Sequence, residues 1–188
     1  MKNYLSALLV AASFSSVSVA PAQAALIDVF AQANSISGGS AASSGLTLTL
    51  GQSFSVVVSP TDLWSAGVLP RWSNANGLTG PLLSTGSDES GTPAGTAIGA
   101  NFGTLSQLGF SAPFGALVGE ISGTFFLVGT SFAGPAPAAG LLNFYYWDSN
   151  SGDNVDKVSI NVQATGVPSP GTLMLIAAAA LPLLRRRE

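Results

Sequence analysis

The sequence contains no cysteine and no histidine. Without cysteine the fold is held without disulfides, whatever compartment it occupies. Without histidine the commonest general base and a principal zinc ligand are missing together. Charge is scarce too, at 8% of residues. Residues 25–166 carry Asp28, Asp62, Asp88, Glu89, Glu120, Asp148, Asp153 and Asp156 against Arg71 and Lys157; eight acids and two bases leave a net charge of −6. That balance argues against nucleic-acid binding through phosphates. Neither a G-x-S-x-G nucleophile elbow nor a G-x-x-x-x-G-K-[ST] phosphate cradle occurs. A hydrolase built on carboxylates alone needs two acids converging in a cleft, and no spacing argues for one. The chain reads as non-enzymatic.

The apolar runs sit at the two ends. Residues 1–24 open with Lys2 as the only charge, continue through LSALLVAASF and close on Ala22-Gln23-Ala24. This small-x-small ending is what a signal peptidase cuts, so a secretory signal cleaved between Ala24 and Ala25 is expected, with Ser18-Val19-Ala20 as an alternative cut. The apolar stretch is too short to span a bilayer. At the other end LMLIAAAALPLL, residues 173–184, runs directly into Arg185-Arg186-Arg187.

Between the ends the apolar period is two, not 3.6. Residues 25–44 lead through a Ser/Gly/Ala-rich run and read as a flexible lead-in. Leu46, Leu48 and Leu50 then alternate with Thr47 and Thr49, and Phe54, Val56 and Val58 with Ser53 and Ser55. Residues 60–113, rich in Gly, Pro, Ser, Thr and Asn, read as long loops with one or two short strands. GALVGEISGTFFLVG reads as a hairpin about Gly119 to Gly123, and LLNFYYW and KVSINVQ as further strands. Residues 45–166 are therefore expected to form a single all-β domain. Its expected architecture is an antiparallel β-sandwich with long loops. A domain of that size buries roughly two-thirds of its unfolded surface.

The last two strands are joined by WDSNSGDNVD, residues 147–156, which holds three of the nine acidic side chains. Asp, Asn, Ser and Gly are the residues of tight turns, because their side chains bond local backbone and tolerate left-handed geometry. They are also the residues of a calcium site, which takes six to eight oxygen ligands from carboxylates, amides and backbone. An EF-hand is excluded. Counted from Asp148, the sixth position is Asp153 where glycine is needed, and the twelfth is Ser159 where glutamate is needed.

The order of motifs from Ser111 onward bears on that choice. Pro113-Phe114-Gly115-Ala116-Leu117-Val118-Gly119-Glu120-Ile121 is followed by Phe126-Leu127-Val128-Gly129 and Gly140-Leu141-Leu142, and Asp148 by Asp153-Asn154 after four residues. Upstream stand Gly51-Gln52-Ser53-Phe54 and Trp64-Ser65-Ala66-Gly67. This series resembles the β-sandwich domain of the LecA-type galactophilic calcium lectins over residues 45–67 and 111–163. The resemblance implies calcium ligation by Asp148, Asp153 and Asn154, with the Ala66 carbonyl closing the site and Asn150 as an additional donor. It also implies carbohydrate binding. Trp147, Trp64 and Trp72 are candidate aromatic faces for a sugar ring, and the alternative for each is an ordinary half-buried aromatic. The chain departs from the family at Trp147, where Asn is usual, and at Asp156, where Gly is usual.

The tail carries a separate resemblance. Val167-Pro168-Ser169-Pro170, the apolar run and the closing arginines are similar to the PEP-CTERM sorting signal, with Ser169 where Glu is usual. The resemblance implies that residues 167–188 are cut by an exosortase-type membrane protease after export to the cell surface or medium. The two prolines keep the junction extended. The arginines stop transfer on the cytoplasmic side. The run is about half a spanning length, which suits a transient membrane hold better than a permanent anchor. The expected whole is an exported surface module, calcium-supported and carbohydrate-binding. The rival is a structural matrix protein that binds no small ligand.

Overall fold

Alternation of apolar and polar side chains dictates the strands that carry the fold. The computed structural model describes residues 21–166, and their regular structure is all β. The expected signal peptide, apart from its last few residues, and the whole sorting segment lie outside the described residues. Fourteen strands follow in chain order. The longer ones are β1 (Gln23–Phe30), β2 (Ala42–Leu48), β3 (Ser53–Val58), β10 (Ala116–Ile121), β11 (Thr124–Leu127), β12 (Ser131–Pro135), β13 (Gly140–Trp147) and β14 (Lys157–Ala164). The shorter ones are β4 (Trp64–Ser65), β5 (Trp72–Ser73), β6 (Leu82–Leu83), β7 (Ala97–Gly99), β8 (Thr104–Gln107) and β9 (Phe110–Pro113).

The long strands make two four-stranded antiparallel sheets, ordered β1-β14-β3-β12 and β11-β10-β13-β2. β14 turns Val158, Ile160 and Val162 inward and Ser159, Asn161 and Gln163 to solvent. Phe54, Val56 and Val58 of β3 face the same core, where Leu117, Ile121, Leu142, Phe144 and Tyr146 of the second sheet meet them. Each fully buried aliphatic or Phe side chain there contributes about 1.5–3 kcal/mol relative to exposure. Phe54 and Phe126, from opposite sheets, meet edge to face with ring centres 5.8 Å apart. Gly119 lets the Phe126 ring lie flat on β10, since a Cβ there would stand 2.3 Å from it. The sandwich expected from the sequence is the fold observed, and residues Ala22–Thr165 form one compact unit.

In the second sheet, β10 and the end of β13 are buried on both faces. The β8–β9 hairpin covers its outer side, so that Ala116, Val118 and Trp147 pack with Ala112, Leu105, Phe110 and Phe125 in a second, smaller core. The first sheet leaves its outer side open, with Leu26 and Val57 among polar neighbours.

Three expectations need correction. The segment 25–44 is no flexible lead-in; it supplies most of β1 and the start of β2. Gln23 and Ala24 pair with Ala164 and Gln163, so a cut between Ala24 and Ala25 leaves Ala25–Phe30 of β1 still paired with β14. Leu50 does not join Leu46 and Leu48 in the core, because β2 ends at Leu48 and the chain turns through Thr49 and Gln52. Residues 60–113 are more ordered than expected, forming three short antiparallel pairs. Their loops are closed by side chains such as Asp88, whose carboxylate accepts from Ser90, Thr85 and Ser84 and is held well below the ordinary range by those bonds.

Candidate functional site

The acidic loop leaves the end of β13 at Asp148 and returns at β14. Its local bonds are those of a tight turn. The Asn150 N–H donates to Asp148 Oδ2 at 3.2 Å, the Gly152 N–H to Asn150 Oδ1 at 3.2 Å, and Asn150 Nδ2 to Asp153 Oδ1 at 2.7 Å. A second loop, between β4 and β5, is stitched to it. Ser65 and Val155 exchange backbone bonds of 3.0 and 3.1 Å, which sets Ala66 beside Asp153. Gly67 has φ +117°, and a Cβ there would lie 2.3 Å from Asp153 Oδ2, so only glycine allows this approach.

Ala66, Arg71, Phe102, Asp148, Asn150 and Asp153 line one concavity of about 230 Å³. Arg71 Nη1 donates to the Ala66 carbonyl at 3.3 Å and to Asp153 Oδ2 at 3.5 Å, and its guanidinium lies 5.5 Å from the Phe102 ring centre. Four of the five residues expected as calcium donors therefore share a wall: Ala66, Asp148, Asn150 and Asp153. The fifth, Asn154, is buried and does not line the concavity. Its Nδ2 donates to the Ala31 carbonyl at 3.1 Å, while its Oδ1 is buried without a hydrogen-bond partner.

Burial controls the electrostatics. Asp148 is 5% exposed, and loss of hydration raises its carboxyl above the ordinary value of 3.8. The backbone N–H groups of Asn150 and Ser149 oppose that rise, and the neighbouring Asp153 charge adds to it. The Tyr146 hydroxyl, fully buried and unpartnered, is raised well above 10.0 by the same desolvation and by both aspartates. Among the described residues no three His, Cys, Asp or Glu side chains gather as a metal set. The donors here are two carboxylates, with amide and backbone oxygens beside them.

The tryptophans are not where a sugar would meet them. Trp64 is fully buried, its Nε1 donating to the Gly115 carbonyl at 2.9 Å and its ring packed edge-on to Tyr146. Trp147 is fully buried too, its Nε1 bonded to the Leu105 carbonyl at 2.9 Å between Phe110 and Phe125. Of the two readings, the sugar-facing one is corrected for Trp64 and Trp147, and the buried-aromatic one holds: both are core residues with satisfied N–H groups. Trp72, in β5, does not line the concavity. Two residues that do line it were not singled out in the sequence. Arg71 carried a signal, as one of only two cations in residues 25–166. Phe102 carried none.

No family model matches the chain. No curated protein matches it in sequence. Among solved structures, one described as "EclA N-terminal domain; PllA-like lectin" is similar at 16% identity and a TM-score of 0.46, over 75% of this chain and 94% of that one.

Proposed function

We propose that the concavity is a calcium-supported carbohydrate site on an exported, non-enzymatic β-sandwich. The observation that carries the reading is the convergence of hard oxygen donors from loops far apart in sequence: Asp148, Asn150 and Asp153 from one, the Ala66 carbonyl from the other. The donor set fits calcium, which takes carboxylate, amide and carbonyl oxygens. Two further features agree with that fit. Asp148 is buried and makes no ion pair among the described residues, and Asn154 Oδ1 lacks a partner. A buried acceptor without a donor costs about 1–3 kcal/mol.

When bound, calcium would offset both carboxylates and offer open coordination positions to sugar hydroxyls. The chain's own residues do the rest. Gly67 and the Ser65–Val155 bonds hold the two loops in register, and Arg71 Nη1 keeps the Ala66 and Asp153 oxygens turned to the concavity. Export and delivery are part of the proposal. The signal peptide leads the chain out through signal peptidase. The tail from Val167 to Arg187 holds it briefly in the membrane for an exosortase-type protease. The favoured ligand is polysaccharide of the extracellular matrix.

A second reading has an observation of its own. Every carboxylate oxygen bond within the loop is also explained by turn closure. On that reading the protein is a structural matrix component. Calorimetric titration with calcium separates the two. The proposal expects one site whose heat disappears in Asp148→Ala; titration heat equal to buffer in the wild type would leave the structural reading.

A further inference from the structure

The one arginine of residues 25–166 stands inside the acidic concavity, not on an open face. Its side chain is 39% exposed, as is that of Asp153, and a pair so exposed contributes only about 0–1 kcal/mol to stability. Holding the fold does not account for it. A guanidinium presents five N–H donors in a fixed fork. Only Nη1 of Arg71 donates a hydrogen bond among the described residues, to Ala66 and Asp153. Nε and Nη2 remain for a ligand. Phe102, 40% exposed and lining the same concavity, supplies an apolar ring beside the fork.

We propose that the concavity takes a carboxylate-bearing sugar, a uronic-acid unit, with its acid group on Arg71 and the C–H face of its ring against Phe102. The inference rests on the calcium-supported sugar reading above and names the ligand class of that site. Charge decides it. Asp148 and Asp153 with Arg71 sum to −1, which repels an anion; a divalent cation at the donors turns the sum to +1, which attracts one. A carboxylate answers the planar fork of Arg71 with two oxygens. A neutral sugar offers only single hydroxyls to the same donors. At about 230 Å³ the concavity lies below the roughly 300–1,000 Å³ of pockets for drug-sized ligands, which suits one ring of a chain and not a longer segment.

The test is calorimetric titration of the full exported protein with trigalacturonate and with neutral galactotriose, each in excess calcium and in chelator. Arg71→Gln and Phe102→Leu are run beside the wild type after thermal melts establish that they fold. The wild type should prefer the acidic trimer by roughly tenfold or more in calcium, the scale of a charge-assisted pair, and lose it in chelator. Arg71→Gln should bind both trimers alike, and Phe102→Leu should weaken both. Equal binding of the two trimers by the wild type, or a preference that survives Arg71→Gln, overturns the inference and leaves the sugar reading intact. Absence of binding to either trimer overturns both. If Arg71→Gln does not fold, Arg71→Lys decides: it keeps the charge without the fork, and undiminished preference in it also counts against the inference.

Discussion

Arg71 and Asp153, 82 positions apart, meet at 3.5 Å across the mouth of the concavity, and the same guanidinium nitrogen reaches the Ala66 carbonyl at 3.3 Å. The Arg71–Asp153 contact adds to the Ser65–Val155 backbone bonds that hold the two loops together. The Arg71 contacts are long and exposed, so they order the site more than they stabilise the fold. What they order is a set of oxygens with too little positive charge among them.

Asp148 makes that shortage measurable. Burial raises its carboxyl above 3.8 in the folded chain, so the folded state holds this proton more tightly than the unfolded state does. The resulting stability is present below pH 3.8 and is lost as pH rises through the folded value. Asp28 and Asp88, lowered by their hydrogen bonds, act in the opposite sense, so the comparison is between wild type and Asp148→Asn. In chelator, urea midpoints across that window should show the wild type losing stability relative to Asp148→Asn as pH rises. Excess calcium should cancel the difference. Parallel curves in chelator would mean that Asp148 meets no desolvation.

Trp147 gives a prediction of the opposite kind. Trp147→Ala should cost about 3–5 kcal/mol in urea unfolding, as for a large aromatic removed from a core. Trp147→Phe should keep ligand binding while leaving the Leu105 carbonyl without its donor. Lost sugar binding with an unchanged melting temperature would return Trp147 to the site.

How much of this the sequence displayed depends on contrast between faces. β3 and β14 were legible because Phe54 and Ile160 alternate with polar neighbours, and β13 because LLNFYYW is rich in strand-favouring side chains. β1 was not, because its outward Leu26 and Phe30 are as apolar as its inward Ile27 and Val29. The pairs in residues 60–113 have two to four residues per strand, too few to show a period. Trp147 misled for a related reason. Its position on the outer face of β13 is set by alternation, but the β8–β9 hairpin that buries it leaves no mark near it in sequence. The acidic loop was readable as a local cluster. Ala66 came only through the family resemblance, and Arg71 and Phe102 reach the same wall only through the fold.

The tail prediction stands apart from the site. On the proposed sorting reading, Arg185, Arg186 and Arg187 would face an anionic cytoplasmic leaflet, each attracted by about 1 kcal/mol, which would delay release while the Val167 to Pro170 junction is cut. Mass spectrometry of surface or secreted protein should find a chain beginning at Ala25 and lacking Arg185 to Arg187. Deleting the arginines should release an uncleaved form, and replacing Pro168 and Pro170 should leave a longer form in the membrane. A mature C-terminus at Glu188 would make the tail a plain anchor.

The central claim is that the concavity between the acidic loop and the β4–β5 loop binds carbohydrate with the help of calcium. The direct measurement is a glycan array probed with the protein in calcium and again in chelator, with Asp148→Ala as the control. The account predicts binding to galactose-type or acidic glycans that vanishes in chelator and is absent from the variant. Binding that persists in chelator, or none to any glycan with calcium present, would contradict it.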